Sequence, residues 1–377
     1  MCPTVFFEEP LEPSGVSGPL DGVRVLEAGG IGPAPFCTML LADMGADVVR
    51  LIRPGGGDDG LLSRGKRTVP FDLKGGQGPI LDLVGSTDVL VEGFRPGVAE
   101  RLGIGPETAC GCNPRLVYAR CTGFGQTGPL HSVAGHDINY IALTGVLGLI
   151  GQADGPPTPP LNLVGDFAAG GLTAAFGIMC ALFERSMSGL GQVIDAAMVD
   201  GSAVLATMFF ELIARGQHDE RRRGANVLDG GAPYYGVYET SDGGWFAVGA
   251  VEEPFYTQLI HRLGLTPEQL PDRSDRSRWP ELKATMARAF RTRTRREWET
   301  VFTGSDACAT PVLLPSECPS YTHHRQRSTF ISANGISQPA PAPRLSRTPG
   351  FVRGDSQASP TTLDAIMDSW RGEASSG

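Results

Sequence analysis

At 377 residues, with 51 glycines and 30 prolines, the chain is long for a single core and rich in turns, so two domains are expected. Its net charge of −9, with acidic and basic residues interleaved, provides no extended cationic face for a phosphate backbone, which argues against nucleic acid as a partner. The eight cysteines, at positions 2, 37, 110, 112, 121, 180, 308 and 318, form no CxxC pair; several lie in apolar runs such as Ile178-Met179-Cys180-Ala181-Leu182, and they read as reduced thiols of a cytoplasmic protein. No N-terminal stretch joins a basic flank, an apolar core and a cleavage site, and no apolar run reaches the roughly 18 to 20 residues that span a bilayer, so no membrane partner is expected.

Residues 1–17 mix proline, glutamate and glycine without periodicity and read as a loose leader. Val23–Glu27 then reads as a strand, Pro33–Met44 as a helix and Ala46–Ile52 as a second strand, a βαβ opening. Asp88–Glu92 and Leu116–Arg120 read as further strands, which makes the first half α/β with a largely parallel sheet. A proline-rich loop, Pro156–Pro160, leads to Gly165-Asp166 and an apolar, small-residue stretch, Phe167–Phe183, expected to be a well-buried helix. After a strand at Val193–Ala197, a helix is expected from about Asp200 to Arg215, and the charged run Asp219–Arg223 reads as a solvated linker. Strands Tyr234–Glu239 and Trp245–Ala250 flank the turn Ser241-Asp242-Gly243-Gly244, and residues 225–310 look like a smaller α+β domain. Pro339–Pro349 should be extended and Thr361–Arg371 a short amphipathic helix.

The chemistry-bearing residues are few. The turn Gly29-Gly30-Ile31-Gly32-Pro33 lacks GxGxxG spacing, and the second strand ends in Arg50 and Arg53 rather than the acid that a ribose would need. Arginines there suit phosphate, and Lys66-Arg67, Lys74, Arg95 and Arg101 continue the basic series, although scattered surface charge would look the same. His136, in Gly135-His136-Asp137-Ile138-Asn139-Tyr140 after the glycine-rich loop 123–128, stands out among the six histidines, yet a lone histidine is more often structural. Asp166, just before a helix, is an ordinary N-cap or a carboxylate beside amides that could stabilise an enolate; one position can serve both roles. Glu252 and Glu253, before Pro254, suit the first turn of a helix on dipole grounds alone. There is no HExxH, no His/Cys cluster with ligand spacing and no GxSxG elbow, so no metal site is expected.

Val23–Glu27, Ala42–Arg50, Glu92-Gly93-Phe94-Arg95-Pro96-Gly97 and Asn113–Tyr118 together resemble the family III CoA-transferase superfamily, over about Gly18 to Pro349. Thr122–Pro129, Ala134–Tyr140, Pro160–Asp166, Gly230–Tyr235 and Asp306–Leu313 are similar to its α-methylacyl-CoA racemase branch. The resemblance implies a large CoA-binding α/β domain, 18–200 closed by 325–377, joined through 201–224 and the return segment 311–324 to the small domain, 225–310. It also implies two interlocked subunits with active sites between the large domain of one and the small domain of the other.

By the same resemblance His136 and Asp166 are two catalytic bases, Asp137 orients His136, and Glu252, with Glu253 as its neighbour in register, polarises the histidine. Arg50, Arg53, Arg67, Leu73, Arg95 and Arg101 would meet the CoA phosphates and adenine, with Ile31, Lys74, Gly93, Gly125 and Tyr140 completing the CoA site. The implied reaction interconverts (2R)- and (2S)-2-methylacyl-CoA through an enolate, within branched-chain fatty acid metabolism; coenzyme A enters as part of the substrate and no other cofactor is expected. The alternative is a family III CoA-transferase, in which Asp166 attacks the thioester and no histidine at 136 is needed. Arg64-Gly65-Lys66-Arg67-Thr68 has the look of the transferases, which bears on the nucleotide contacts.

Overall fold

The structure, a computed structural model, describes residues 18–56, 60–333, 335–353 and 361–374. The expected leader lies outside the described residues. The chain divides into two compact units: the first takes the chain up to Thr144, Leu161–Leu205 and everything from Pro319, and the second takes Gly145–Pro160 and Ala206–Cys318.

The first unit is built on six parallel strands: β1 (Arg24–Glu27), β2 (Asp47–Ile52), β3 (Lys66–Pro70), β4 (Val89–Glu92), β5 (Val117–Thr122) and β6 (Val193–Ala197), in the order β3-β2-β1-β4-β5-β6. The apolar character of β1, β2, β4 and β5 reflects burial on both faces, as the inner strands of a parallel sheet require. Val25, Val48, Val91 and Ala119 pack on one face with the helix Pro33–Asp43 and the helix Thr173–Ser188. Leu26, Val49, Leu90 and Tyr118 pack on the other with the helices Gly78–Val84 and Pro106–Cys112. β3 has no counterpart among the expected strands, because its Lys66 and Arg67 hide the apolar signal. The chain order reverses between β1 and β4, the position at which sheets of this kind receive ligands outside the carboxyl ends of their strands; the segments that follow the two strands stay in contact, the Gly93 amide donating to the Gly29 carbonyl at 3.0 Å.

The C-terminal helix, Leu363–Ala374, closes the second face through Ile366 and Trp370, both essentially without solvent contact. The indole Nε1 donates to Asp47 Oδ2 at 2.6 Å, and Arg24 and Arg67 lie over the ring.

The stretch expected to start at Phe167 begins earlier: a π-helical segment, Leu163–Leu172, runs straight into the α-helix Thr173–Ser188. Asp166 is therefore inside the first turn rather than ahead of it. Small residues permit this geometry, since a Cβ on Gly170 or Gly171 would stand within 2.9 Å of Pro33, Met198 or Phe36. Nor is the helix buried all round. Ala174, Ala175, Ile178 and Ala181 face the sheet, whereas Phe176, Phe183 and Met187 are each 69% exposed. By length and composition Leu163–Ser188 is long and apolar enough to cross a membrane, contrary to the reading that no run reached that length. The physical reason is that Gly, Ala and Thr extend the apolar stretch while Asp166, Glu184 and Arg185 are its only charges.

The second unit carries an antiparallel sheet, β7 (Tyr235–Glu239), β8 (Trp245–Gly249) and β9 (Ala309–Pro311), in the order β7-β8-β9. The helices Glu253–Arg262, Trp279–Phe290 and Arg295–Phe302 cover it around an aromatic core of Tyr238, Phe246, Phe290, Trp298 and Phe302. The single helix expected over 200–215 is broken at Ala206 into Met198–Leu205 and Thr207–Ala214.

Replacing Trp370 by Ala removes a fully buried indole and its hydrogen bond from one face of the main sheet. The expected loss is about 3–5 kcal/mol, to be read from chemical denaturation followed by far-UV circular dichroism.

Candidate active site

Where β1 and β4 end, glycines are present for a steric reason. A Cβ on Gly30 would stand 2.9 Å from the Cα of Gly93, and one on Gly32, whose φ is +70°, would stand 3.1 Å from Asp166 Oδ2. The carboxylate of Asp166 thus rests against the chain just before the helix Pro33–Asp43. Behind it the strand-end acids are spent. Glu27, wholly buried, accepts from Lys66 Nζ at 2.8 Å and Thr38 Oγ1 at 2.6 Å and pairs with Arg50 Nε at 3.0 Å. Glu92 pairs with Arg120 Nε at 2.8 Å and accepts from the Phe94 amide at 2.6 Å. Burial raises the pKa of Glu92 and lowers that of Lys66.

His136 is the N-cap of the helix Asp137–Leu143, with its backbone extended and its side chain exposed. Its amide donates to Asn139 Oδ1 at 3.0 Å and its carbonyl accepts from the Asn139 amide at 2.8 Å. Tyr140 shapes the turn in front of it. The phenol donates to the Gly135 carbonyl, and the ring lies where a Cβ on Gly123 or Gly135 would be, 2.2 and 2.8 Å away. Only 6% exposed, Tyr140 supports the histidine turn from beneath.

Asp166 is half-buried, and Asn162 Nδ2 donates to its Oδ2 at 3.2 Å. Burial pushes its pKa up and the neighbouring Asp137 adds to this, whereas Asn162 and His136 pull it down; the net direction is up. His136 is therefore close enough to act electrostatically on Asp166. Asp137 itself is 5% exposed, and its Oδ2 accepts from the Asp166 backbone amide at 2.7 Å. Expected to orient His136, it has its hydrogen bond on the other base. The same bond occupies an amide that the sequence had suggested for an enolate, leaving that oxygen to other donors.

In the second unit, Glu252 is the N-cap of the helix Glu253–Arg262, and its exposed carboxylate makes no capping bond. Glu253 pairs instead with Arg273 at 3.6 Å. Of the two neighbours, Glu252 is the one without a partner among the described residues.

A model of CoA-transferase family III matches residues 20–362. The chain belongs to this family. The α-methylacyl-CoA racemase of Mus musculus is 49% identical over 354 residues, 93% of each chain, and that of Homo sapiens is 48% identical over 336 residues, 88% of each. The succinyl-CoA–D-citramalate CoA-transferase of Chloroflexus aurantiacus is 37% identical over 273 residues, 67% of each. The crystal structure of a CAIB/BAIF family protein from Brucella suis shares the fold, with a TM-score of 0.79 at 24% identity over 94% of this chain and 100% of that one.

In this family III chain the basic residues expected at CoA fall into two sets. Arg53, Lys74, Arg95 and Arg101 are exposed and their side chains have no partner among the described residues. Arg50 is buried between Glu27 and Ser63, and Arg67 is committed to Asp47, Ser369 and the Trp370 ring. The whole Arg64-Gly65-Lys66-Arg67 run serves the scaffold, since Arg64 in turn holds Asp43, Gln338 and the Pro339 carbonyl. Ile31 is 76% exposed in the turn that follows β1, Leu73 and Gly93 are half-buried, and Gly125 is buried with φ +81° next to Asp195. Asn162 and the three glycines 30, 32 and 165 were not singled out from sequence; only their place inside otherwise chemical motifs could have signalled them.

The upward shift of Asp166 fixes a sign. The folded protein holds this proton more tightly than the unfolded chain, so the stability it contributes is present below the ordinary carboxylate pKa and is lost as pH rises through the folded value. Asp166→Asn, which mimics the protonated form, should therefore melt higher than the parent at pH 7, with the gap closing below about pH 4 in thermal scans.

Proposed function

We propose that this chain is an α-methylacyl-CoA racemase, an isomerase that interconverts (2R)- and (2S)-2-methylacyl-CoA, with His136 and Asp166 as its two bases. The observation that carries the reading is the pairing of an exposed histidine at one helix start with a half-buried carboxylate, pushed toward its protonated form, in the first turn of another. The racemases of mouse and man, at 49% and 48% identity, support the substrate class.

One base takes the α-proton, the C–H bond breaks, and its electron pair moves into the thioester to form a planar enolate. The other base, protonated, delivers its proton to the opposite face. A neutral imidazole facing a protonated carboxyl is the form ready for one enantiomer; imidazolium facing carboxylate is the form ready for the other. An upward-shifted aspartate narrows the free-energy gap between these forms, which a reaction run in both directions needs. Coenzyme A enters as part of the thioester, its phosphates drawn by Arg53, Lys74, Arg95 and Arg101, and no further cofactor takes part. A cytoplasmic setting fits Cys37 and Cys121, buried as thiols, the former with its pKa pushed up to about 12.

The reading includes an interlocked homodimer in which Glu252 of one subunit serves His136 of the other. Leu172, Phe176, Met179, Phe183 and Met187, spaced by three or four residues, make an exposed apolar stripe along one helix, more than an isolated soluble subunit ordinarily leaves open. A second copy is the occupant proposed. Phe176→Glu combined with Phe183→Glu should shift the protein from dimer to monomer in light scattering and lower activity with it; a wild-type monomer would remove this part of the reading.

The decisive assay follows deuterium uptake at the α-carbon from each 2-methylacyl-CoA epimer in D₂O. Both epimers should exchange and epimerise, and His136→Ala or Asp166→Ala should each lower the rate about 10²–10⁴-fold. Transfer of CoA to a free carboxylic acid without exchange would instead identify a transferase using Asp166 as nucleophile.

A further inference from the structure

We infer that Asp137 is a positioning residue for Asp166: its buried carboxylate caps the first turn of the helix that carries Asp166, so that both bases are mounted on one bracket. The inference rests on the racemase reading for its consequence in catalysis, but the bracket itself stands on geometry.

The Asp166 amide belongs to the first turn of its helix, where N–H groups have no partner within the helix. The usual solution is a side chain at the N-cap. Here the N-cap is Asn162, which makes no capping bond and directs its amide to the Asp166 carboxylate. Capping falls to a residue 29 positions earlier, Asp137, whose Oδ2 meets the amide at 2.7 Å. Room for this exists only because residue 165 is glycine: a Cβ there would stand 2.7 Å from Asp137 Oδ2. Asp137 also follows His136 directly and opens the helix that His136 caps. One side chain therefore connects the turn carrying the imidazole to the turn carrying the carboxyl.

A cap alone does not call for a charge. Burying an ionised carboxylate is costly unless it is well paired, yet Asp137 Oδ1 is buried without a hydrogen bond and no cation pairs with the group among the described residues. An asparagine could accept the same bond. What the charge adds is repulsion of a second negative charge on Asp166, which favours its protonated form. The other groups acting on Asp166 are Asn162 on its own helix and His136 beside Asp137, both opposing the shift; Tyr140 lies within electrostatic reach, with Arg95 near it. The helix Pro33–Asp43 meets this segment through Gly32 and Pro33, and the helix Met198–Leu205 through Met198 and Gly201, none of them charged.

The test compares the parent protein with Asp137→Asn, which keeps the acceptor oxygen and loses the charge, and with Asp137→Ala, which loses both. The Asp166 carboxyl is titrated directly by carbon NMR, its signal assigned by difference with Asp166→Asn, and pH–rate profiles of α-proton exchange are recorded from each epimer. In Asp137→Asn the Asp166 titration and the matching limb of both profiles should move to lower pH. In Asp137→Ala the exchange rate should fall about 10–100-fold further, as expected when a reacting group is misplaced by about an ångström. An unchanged Asp166 titration in Asp137→Asn overturns the inference, even if the variant melts lower. A shifted titration in a protein that shows no exchange leaves the bracket standing and defeats the racemase reading instead.

Discussion

A close approach between backbone and carboxylate governs the reactive end of this protein. The chain leaving β1 and the helix carrying Asp166 come so near that a single methyl group on residue 32 would press on the carboxylate, and Gly30 and Gly93 meet in the same way where β1 and β4 end. The strand order reverses at the same place, the position at which ligands reach the carboxyl ends of the strands in sheets of this kind. The half-burial of Asp166 follows from the close approach, and with that burial the upward drift of its pKa.

Charge is divided between scaffold and site with little overlap. Glu27, Arg50, Lys66, Asp43, Arg64, Asp47, Arg67, Glu92 and Arg120 neutralise one another in or near the sheet, where an unpaired charge would be prohibitive. Arg53, Lys74, Arg95 and Arg101 remain open to solvent, where they can meet phosphate oxygens. The distinction explains how a run with the look of a nucleotide-binding motif, residues 64–67, belongs to the frame: its side chains reach acids on two other strands of the sheet and at the end of the helix Pro33–Asp43.

The long helix Leu163–Ser188 joins the two themes. Its small residues allow the close approach at one end, and its apolar composition on both faces leaves a hydrophobic stripe outside the unit it helps to build. A helix apolar all round calls for burial on every side, and here Ala174, Ala175, Ile178 and Ala181 are covered while Phe176, Phe183 and Met187 are not.

Much of this was legible in the sequence because the signals are local. The βαβ opening, the strands at β4, β5 and β6, the hairpin of the second unit and the C-terminal helix each follow from apolar period, glycine turns and length. The resemblance carried by motifs such as Gly135–Tyr140 and Val164–Asp166 pointed to the right family, since a motif is itself a local string. What sequence could not determine were pairings at long range. That Arg50 and Arg67 are absorbed by Glu27 and Asp47, that Glu253 is held by Arg273 while Glu252 is not, and that Asp137 turns toward Asp166 are all decided by which strands and helices become neighbours. Residue types and spacing established which groups could do chemistry; only the tertiary structure, by burying some charges beside their opposites and leaving others unpartnered, decided which of them are free to do it.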